Sequence, residues 1–147
     1  GLSVVYAAFR EPNVYEIYEV NIASGIITQL TDRLGNLNSP EISPDGSTIV
    51  FKLSTPNANQ LWLINRDGTN PRQIPNVTGW DPTWSPDGAY ILFASDMQGA
   101  VQLFRVKPDG YHECRWFRYK NVESNGWQFT RSVYFARWRV GSLYFLF

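Results

Sequence analysis

Several residue types are scarce in this 147-residue chain, and each scarcity excludes a class of structure. Cys114 is the only cysteine, which excludes an internal disulfide framework and a cysteine-based metal site. No apolar run approaches the ~18 residues of a membrane-spanning helix, and no signal peptide is visible. The formal net charge is zero, so the composition provides no electrostatic reason to expect nucleic-acid binding or membrane insertion.

Catalytic groups are equally scarce. His112 is the only histidine, and it lies between Tyr111 and Glu113, two positions before Cys114. Neighbouring residues of a strand point to opposite faces, and nothing else in this stretch favours a Cys–His pair. The sequence contains no Gly-x-Ser-x-Gly nucleophile elbow, no Gly-rich phosphate loop and no calcium-loop spacing. We therefore expect no catalytic residue, no metal and no cofactor.

The chain does contain a repeated turn motif. The stretches Ser43-Pro44-Asp45-Gly46 and Ser85-Pro86-Asp87-Gly88 stand 42 residues apart, and each is followed by a short apolar run. Proline sets φ at the second position of a turn, and glycine accepts the left-handed conformation that lets the chain reverse. Each motif therefore predicts a tight turn that leads into a buried strand.

Each motif belongs to a longer unit of strand, polar loop, alternating strand and second turn. The second turns contain Gly25, Gly68 and Gly110, which are spaced 43 and 42 residues apart. A period in the low forties with four short strands is typical of β-propeller blades, and no segment has a helical period. Because one blade cannot bury both of its faces, neighbouring blades are expected to stack.

These motifs resemble the blades of the TolB-type β-propeller, a WD-repeat-like family written as SPDG…IAF and IYxxNxDG. The match is carried by ISPDGSTIVF, WSPDGAYILF, EIYEVNIASG, QLWLINRDG and QLFRVKPDG, over about residues 1–110. The resemblance implies an all-β fold of about three and a half four-stranded antiparallel blades, a partial propeller. Trp62 and Phe104 occupy matching strand positions and are expected in the core.

The resemblance also implies a non-catalytic platform for protein–protein contact, in the periplasm or elsewhere outside the bacterial cytoplasm. Two alternatives stay open, because the same blades occur in other proteins. One is the substrate-gating propeller of a prolyl-oligopeptidase-like serine peptidase, and the other is the ligand-sensing propeller of a regulatory protein. Since a ring of this family has about six blades, we expect either a piece of a longer protein or a homodimer that completes the ring.

Loops at one end of a propeller usually carry its binding residues. Trp80 and Asp81 lie just before the second Ser-Pro-Asp-Gly motif, and Asn36 and Asn38 lie in the equivalent stretch before the first. We expect these four residues to form a rim of loops that contacts a protein partner.

Residues 111–147 depart from the repeat and are predicted to form a separate C-terminal segment. They contain 12 of the 23 aromatic residues, six basic residues against two acidic ones, and no proline. Three interpretations stay open: an atypical β element, a nucleic-acid surface of arginines and aromatics, and a shifted reading frame. The last rests on FARWR at 135–139, whose codons can encode Ser-Pro-Asp-Gly when read one base later. We do not expect a nucleic-acid partner.

Overall fold

The computed structural model describes residues 2–12, 14–97, 99–110, 115–116, 137–140 and 143–146. All the regular secondary structure in these residues is β-strand. The strands are β1 (Ser3–Glu11), β2 (Val14–Asn21), β3 (Ile27–Gln29), β4 (Asn36–Ile42), β5 (Thr48–Ser54), β6 (Asn59–Asn65), β7 (Arg72–Thr78), β8 (Trp80–Trp84), β9 (Ile91–Ser95), β10 (Gln102–Val106), β11 (Arg115–Trp116), β12 (Arg137–Val140) and β13 (Leu143–Leu146).

The first eleven strands form three consecutive antiparallel blades. The first blade contains β1, β2 and β3, the middle blade contains β4 to β7, and the third contains β8 to β11. A single parallel bridge between Tyr15 and Asn36 joins the first blade to the middle one. β12 and β13 form a separate hairpin. The predicted all-β architecture of propeller blades is confirmed.

The middle blade is apolar on both faces, as a blade with two neighbours must be. Along β5, Ile49 and Phe51 pack toward the first blade, whereas Val50 between them packs toward the third. The core between the first and middle blades consists of Ile17, Leu30, Leu37, Ile49, Phe51, Leu53 and Ile64. The core between the middle and third blades consists of Val50, Leu61, Leu63, Ile74, Val77, Trp84, Ile91, Phe93, Phe104 and Val106.

The matching aromatic positions of β6 and β10 behave alike. Phe104 is fully buried in the second core and stacks on Phe93, with ring centroids 5.7 Å apart. Trp62 is half-buried and packs against the first core from the equivalent position. Trp62 lies opposite Phe51 as Phe104 lies opposite Phe93, so a cross-strand aromatic pair recurs in these two blades.

Both Ser-Pro-Asp-Gly stretches form the same turn. Gly46 and Gly88 have φ of 75° and 70°, and their N–H groups donate 2.8 Å hydrogen bonds to the carbonyls of Ser43 and Ser85. In each turn the serine hydroxyl donates to the aspartate carboxylate over 2.5 Å. These bonds hold the pKa of both carboxyls, on Asp45 and on its counterpart Asp87, below the ordinary value.

The two ends of the blades differ in character. We call the end with the Ser-Pro-Asp-Gly and Asp-Gly turns the turn end. The opposite end, with the loops after β1, β5 and β9, is the loop end. At the turn end, the Arg66 guanidinium of the middle blade donates to Glu19 Oε1 over 2.5 Å and to Ser3 Oγ over 2.6 Å, both on the first blade. This ion pair reinforces the contact between the two blades.

Candidate binding face on the inner strands

The four predicted rim residues lie on two neighbouring strands, each of which is the first strand of its blade and is called its inner strand. Asn36 and Asn38 belong to β4, and Trp80 and Asp81 belong to β8. The expectation that they lie on loops was therefore wrong. The physical reason is that β4 and β8 begin earlier than the apolar pattern indicated, because their polar residues still pair with β5 and β9.

A bulge interrupts both strands at the same repeat position. The register shifts between Asn38 and Glu41 in β4, and between Trp80 and Thr83 in β8. A residue with left-handed backbone lies inside each bulge: Ser39 with φ of 52° and, in β8, Asp81 with φ of 50°. A proline follows both of these residues. Bulges re-aim side chains and end strand pairing, and they are common beside functional sites.

The two bulges meet across the gap between the blades. Ser39 Oγ donates a hydrogen bond of 3.2 Å to Asp81 Oδ1, and both side chains are exposed. Asn38 Nδ2 donates to Asn36 Oδ1 over 3.2 Å, so these two amides are aligned on one strand. The structure thus brings Ser39 and Asp81 together and places Asn36 and Asn38 on the strand that carries Ser39.

Glu41 joins the same two strands one step closer to the turn end. Its Oε1 accepts from Thr83 Oγ1 over 3.1 Å and from the Trp84 N–H over 3.2 Å. The indole Nε1–H of Trp84 donates back to the Glu41 carbonyl over 3.2 Å. Burial raises the pKa of the Glu41 carboxyl, and the bonds from Thr83 and Trp84 offset part of that rise.

Sequence reasoning missed Ser39 and Glu41. A signal was available, because Ser39-Pro40 and Asp81-Pro82 stand 42 residues apart, the same spacing as the turn motifs. We call the set of Asn36, Asn38, Ser39, Trp80 and Asp81 the inner-strand rim. Its residues carry amide, hydroxyl and carboxylate groups and one half-exposed indole. That mixture suits contact with a peptide or protein surface, where aromatic anchors with polar neighbours are favoured.

The stretch 111–114, which contains His112 and Cys114, lies outside the described residues, as do most of the tail and residues 135–136 of the FARWR stretch. Within the part of the chain that the structure describes, no group of three His, Cys, Asp or Glu side chains is placed to hold a metal ion. The same part contains no helix with the length and apolar character needed to cross a bilayer.

Stacked four-stranded blades with converging first strands define the class of β-propeller proteins. Within that class, residues 1–129 match the TolB beta propeller domain, so the chain belongs to this family. The matched range includes residues 111–129, and the departure of residues 111–147 from the repeat stays a prediction. The expected family resemblance is confirmed.

Similar proteins support the same assignment. An uncharacterized protein of Agrobacterium fabrum is 36% identical over 74 residues, which are 50% of this chain and 25% of that protein. The structure of a putative TolB from Agrobacterium tumefaciens is 30% identical with a TM-score of 0.66, covering 74% of this chain and 42% of that one. TolB from Acinetobacter baumannii is similar in fold, with 24% identity and a TM-score of 0.66 over 79% of this chain and 29% of that one. The chain therefore spans less than half the length of these relatives.

Proposed function

We propose that this chain is a non-catalytic interaction platform and that its inner-strand rim binds a protein partner. The observation that carries the proposal is the paired bulge, in which Ser39 and Asp81 both adopt left-handed backbone and join across two blades. A left-handed conformation costs a non-glycine residue about 1–2 kcal/mol. Such strain concentrates at functional sites, where the surrounding structure over-determines it.

The chemistry of the rim indicates how a partner is held. Trp80 supplies a large half-exposed aromatic surface, and Asp81 beside it keeps one carboxylate oxygen free of the Ser39 bond. Tryptophan is among the residues that carry most binding energy in protein interfaces, with polar groups around it that exclude water. A location outside the bacterial cytoplasm, which the family resemblance implied, stays a prediction.

The test compares the full chain with Trp80→Ala, Asp81→Asn and a matched control, Ala89→Ser, which changes an exposed residue at the turn end. Immobilised wild type first selects interacting proteins from a bacterial envelope extract. Each selected protein is then purified, and its Kd for every variant is measured by calorimetry. We expect Trp80→Ala to weaken binding by about tenfold or more, with Ala89→Ser unchanged. Equal affinity of all four chains for every selected protein would contradict the proposal.

A second candidate is self-association that completes the ring, and one observation favours it. The face of the first blade that points away from the middle blade is uncovered, with Val4 48% and Ile27 60% exposed. In the middle blade, Ile49 occupies the position of Val4 and is fully buried against the first blade. Two chains of three blades each would provide six. Native mass spectrometry that detects only monomers at micromolar concentration would exclude this homodimer.

A further inference from the structure

A cleft at the loop end lies beside the inner-strand rim, between the first and middle blades. It has a volume of about 400 Å³ and is lined by Arg10, Glu11, Val14, Arg33 and Gly35. Gly35 immediately precedes Asn36, so the cleft opens where the rim begins. Its volume lies within the range of about 300–1,000 Å³ that is usual for ligand sites.

Arg33 is held at the cleft by a buried carboxylate. The side chain of Glu16 is fully buried, and its Oε1 accepts a 2.6 Å hydrogen bond from the backbone N–H of Arg33. Its Oε2 accepts from the hydroxyl of buried Thr31 over 2.5 Å. Arg33 itself has left-handed backbone, with φ of 54°. A buried charged group is costly unless it is fully bonded, so this network fixes the position of the Arg33 Cα.

One of the two arginines at the cleft has a charged partner and the other has none among the described residues. The Arg10 guanidinium forms an ion pair with Asp32, whose side chain is 70% exposed. The Arg33 side chain is exposed, and its guanidinium has no hydrogen bond or ion pair with any residue that the structure describes. Glu11 is the acidic member of the lining. Arg33 is therefore the group that is available to a ligand, and carboxylates and phosphates are the anions that a guanidinium pairs with bidentately.

The equivalent place between the middle and third blades lacks these charges. Its loop, after β5, is closed on itself, because Thr55 N–H donates to the Ala58 carbonyl over 2.9 Å and Ala58 N–H donates to Thr55 Oγ1 over 3.1 Å. The stretch that leads into β8, residues 73–79, contains no arginine. The blade repeat does not by itself require arginines at the loop end, because the equivalent place between the middle and third blades has none.

We propose that the Arg33 cleft binds a carboxylate, supplied by an acidic residue of the protein partner that contacts the inner-strand rim. This inference rests on the proposed function for the identity of the partner, whereas the carboxylate site itself has its own test. Gly35 and Ser39 are four positions apart in the chain, which corresponds to roughly 13 Å along an extended strand. A short extended segment of a partner spans that distance, with its acidic residue at Arg33 and its apolar part at Trp80.

The test is an NMR titration of the ¹⁵N-labelled full chain with N-acetyl-glutamic acid α-amide, which has one side-chain carboxylate. N-acetyl-glutamine α-amide is the uncharged ligand of the same shape, and inorganic phosphate represents other anions. We expect saturable shifts of the Val14, Arg33 and Gly35 amide signals with the glutamate ligand alone. Arg33→Gln is expected to weaken this binding about tenfold or more, the effect of losing a hydrogen bond to a charged group.

Lys107→Gln is the matched control variant, because it removes one positive charge from an exposed residue at the turn end. Unchanged Gly46 and Gly88 amide signals verify that each variant keeps the fold. The proposal is overturned if the glutamate ligand produces no saturable shift, if phosphate or the glutamine ligand binds as well, or if Lys107→Gln weakens binding as much as Arg33→Gln. If the titration fails while Trp80→Ala still weakens a partner, the carboxylate site is refuted and the proposed platform function stands.

Discussion

At the scale of single residues, two glycines in the same turn motif have different neighbours. Gly25 and Gly68 follow the second long strand of their blades, with φ of 70° and 84°. A Cβ atom at Gly25 would have no neighbour within 4 Å, whereas one at Gly68 would lie 2.6 Å from the backbone carbonyl oxygen of Leu30. The same turn is thus free in the first blade and tightly packed in the middle one.

This difference predicts unequal costs for the same substitution. Gly25→Ala introduces only the strain of a left-handed alanine, about 1–2 kcal/mol. Gly68→Ala adds a clash with the backbone of the preceding blade, which is expected to cost about 1–3 kcal/mol more. Urea unfolding of both variants measures the difference. Equal losses would mean that the turn of the middle blade does not pack against Leu30 as described.

At the scale of elements, the contact between β4 and β8 depends on the Glu41 carboxyl group, which is largely buried. Burial raises the folded-state pKa of Glu41 above its ordinary value of 4.5. A carboxyl group whose pKa is higher in the folded state than in the unfolded state lowers the free energy of unfolding once it is ionised. This loss of stability is absent at a pH below the pKa of the unfolded state. It develops as the pH rises and is complete above the pKa of the folded state.

Glu41→Gln is therefore expected to raise the urea midpoint at pH 7, because the amide oxygen still accepts from Thr83 and Trp84 without a desolvated charge. The advantage of the variant should shrink toward pH 4 and disappear near pH 3, where Glu41 is protonated in both states. Glu11→Gln, at an exposed position, is the control and should show no such trend. A Glu41→Gln chain that is less stable at pH 7 than at pH 3, relative to wild type, would contradict this account.

At the scale of the whole molecule, the stacking of blades decides what an equivalent residue contributes. Tyr6 and Phe93 occupy the same position in β1 and β9, and each stacks on an aromatic residue of the adjacent strand, with centroids 5.8 Å and 5.7 Å apart. Phe93 is fully buried between the middle and third blades, whereas Tyr6 lies half-buried on the uncovered face of the first blade.

Phe93→Ala is accordingly expected to lower the free energy of unfolding by about 3–5 kcal/mol, the usual loss for a buried aromatic side chain. Tyr6→Ala is expected to cost about 1 kcal/mol, because it removes mainly the aromatic pair. Thermal unfolding followed by circular dichroism measures both. If a second chain covers the first blade, the cost of Tyr6→Ala approaches that of Phe93→Ala, and a concentration series separates the two cases.

Much of this protein is determined by its sequence alone. The Ser-Pro-Asp-Gly turns, the strands that follow them and the all-β blade architecture were predictable, because turn chemistry and strand alternation act between residues close in the chain. Because the turn motifs recur every 42 residues, the same reasoning predicted the strands and turns of successive blades. The aromatic positions Trp62 and Phe104 followed from the same spacing, since equivalent positions in a stacked repeat meet similar neighbours.

Only the tertiary structure decided how the inner-strand rim is built. The predicted rim residues Asn36, Asn38, Trp80 and Asp81 stand before the apolar runs, and three of them are polar, so the sequence pattern assigned them to loops. Their pairing with β5 and β9 lies within each blade, and the bond from Ser39 to Asp81 forms where two blades meet. The cleft at Arg33 likewise exists because buried Glu16 reaches a backbone N–H 17 residues away. The bonds from Arg33 to Glu16 and from Ser39 to Asp81 join residues that are far apart in the chain, and no local pattern in the sequence records them.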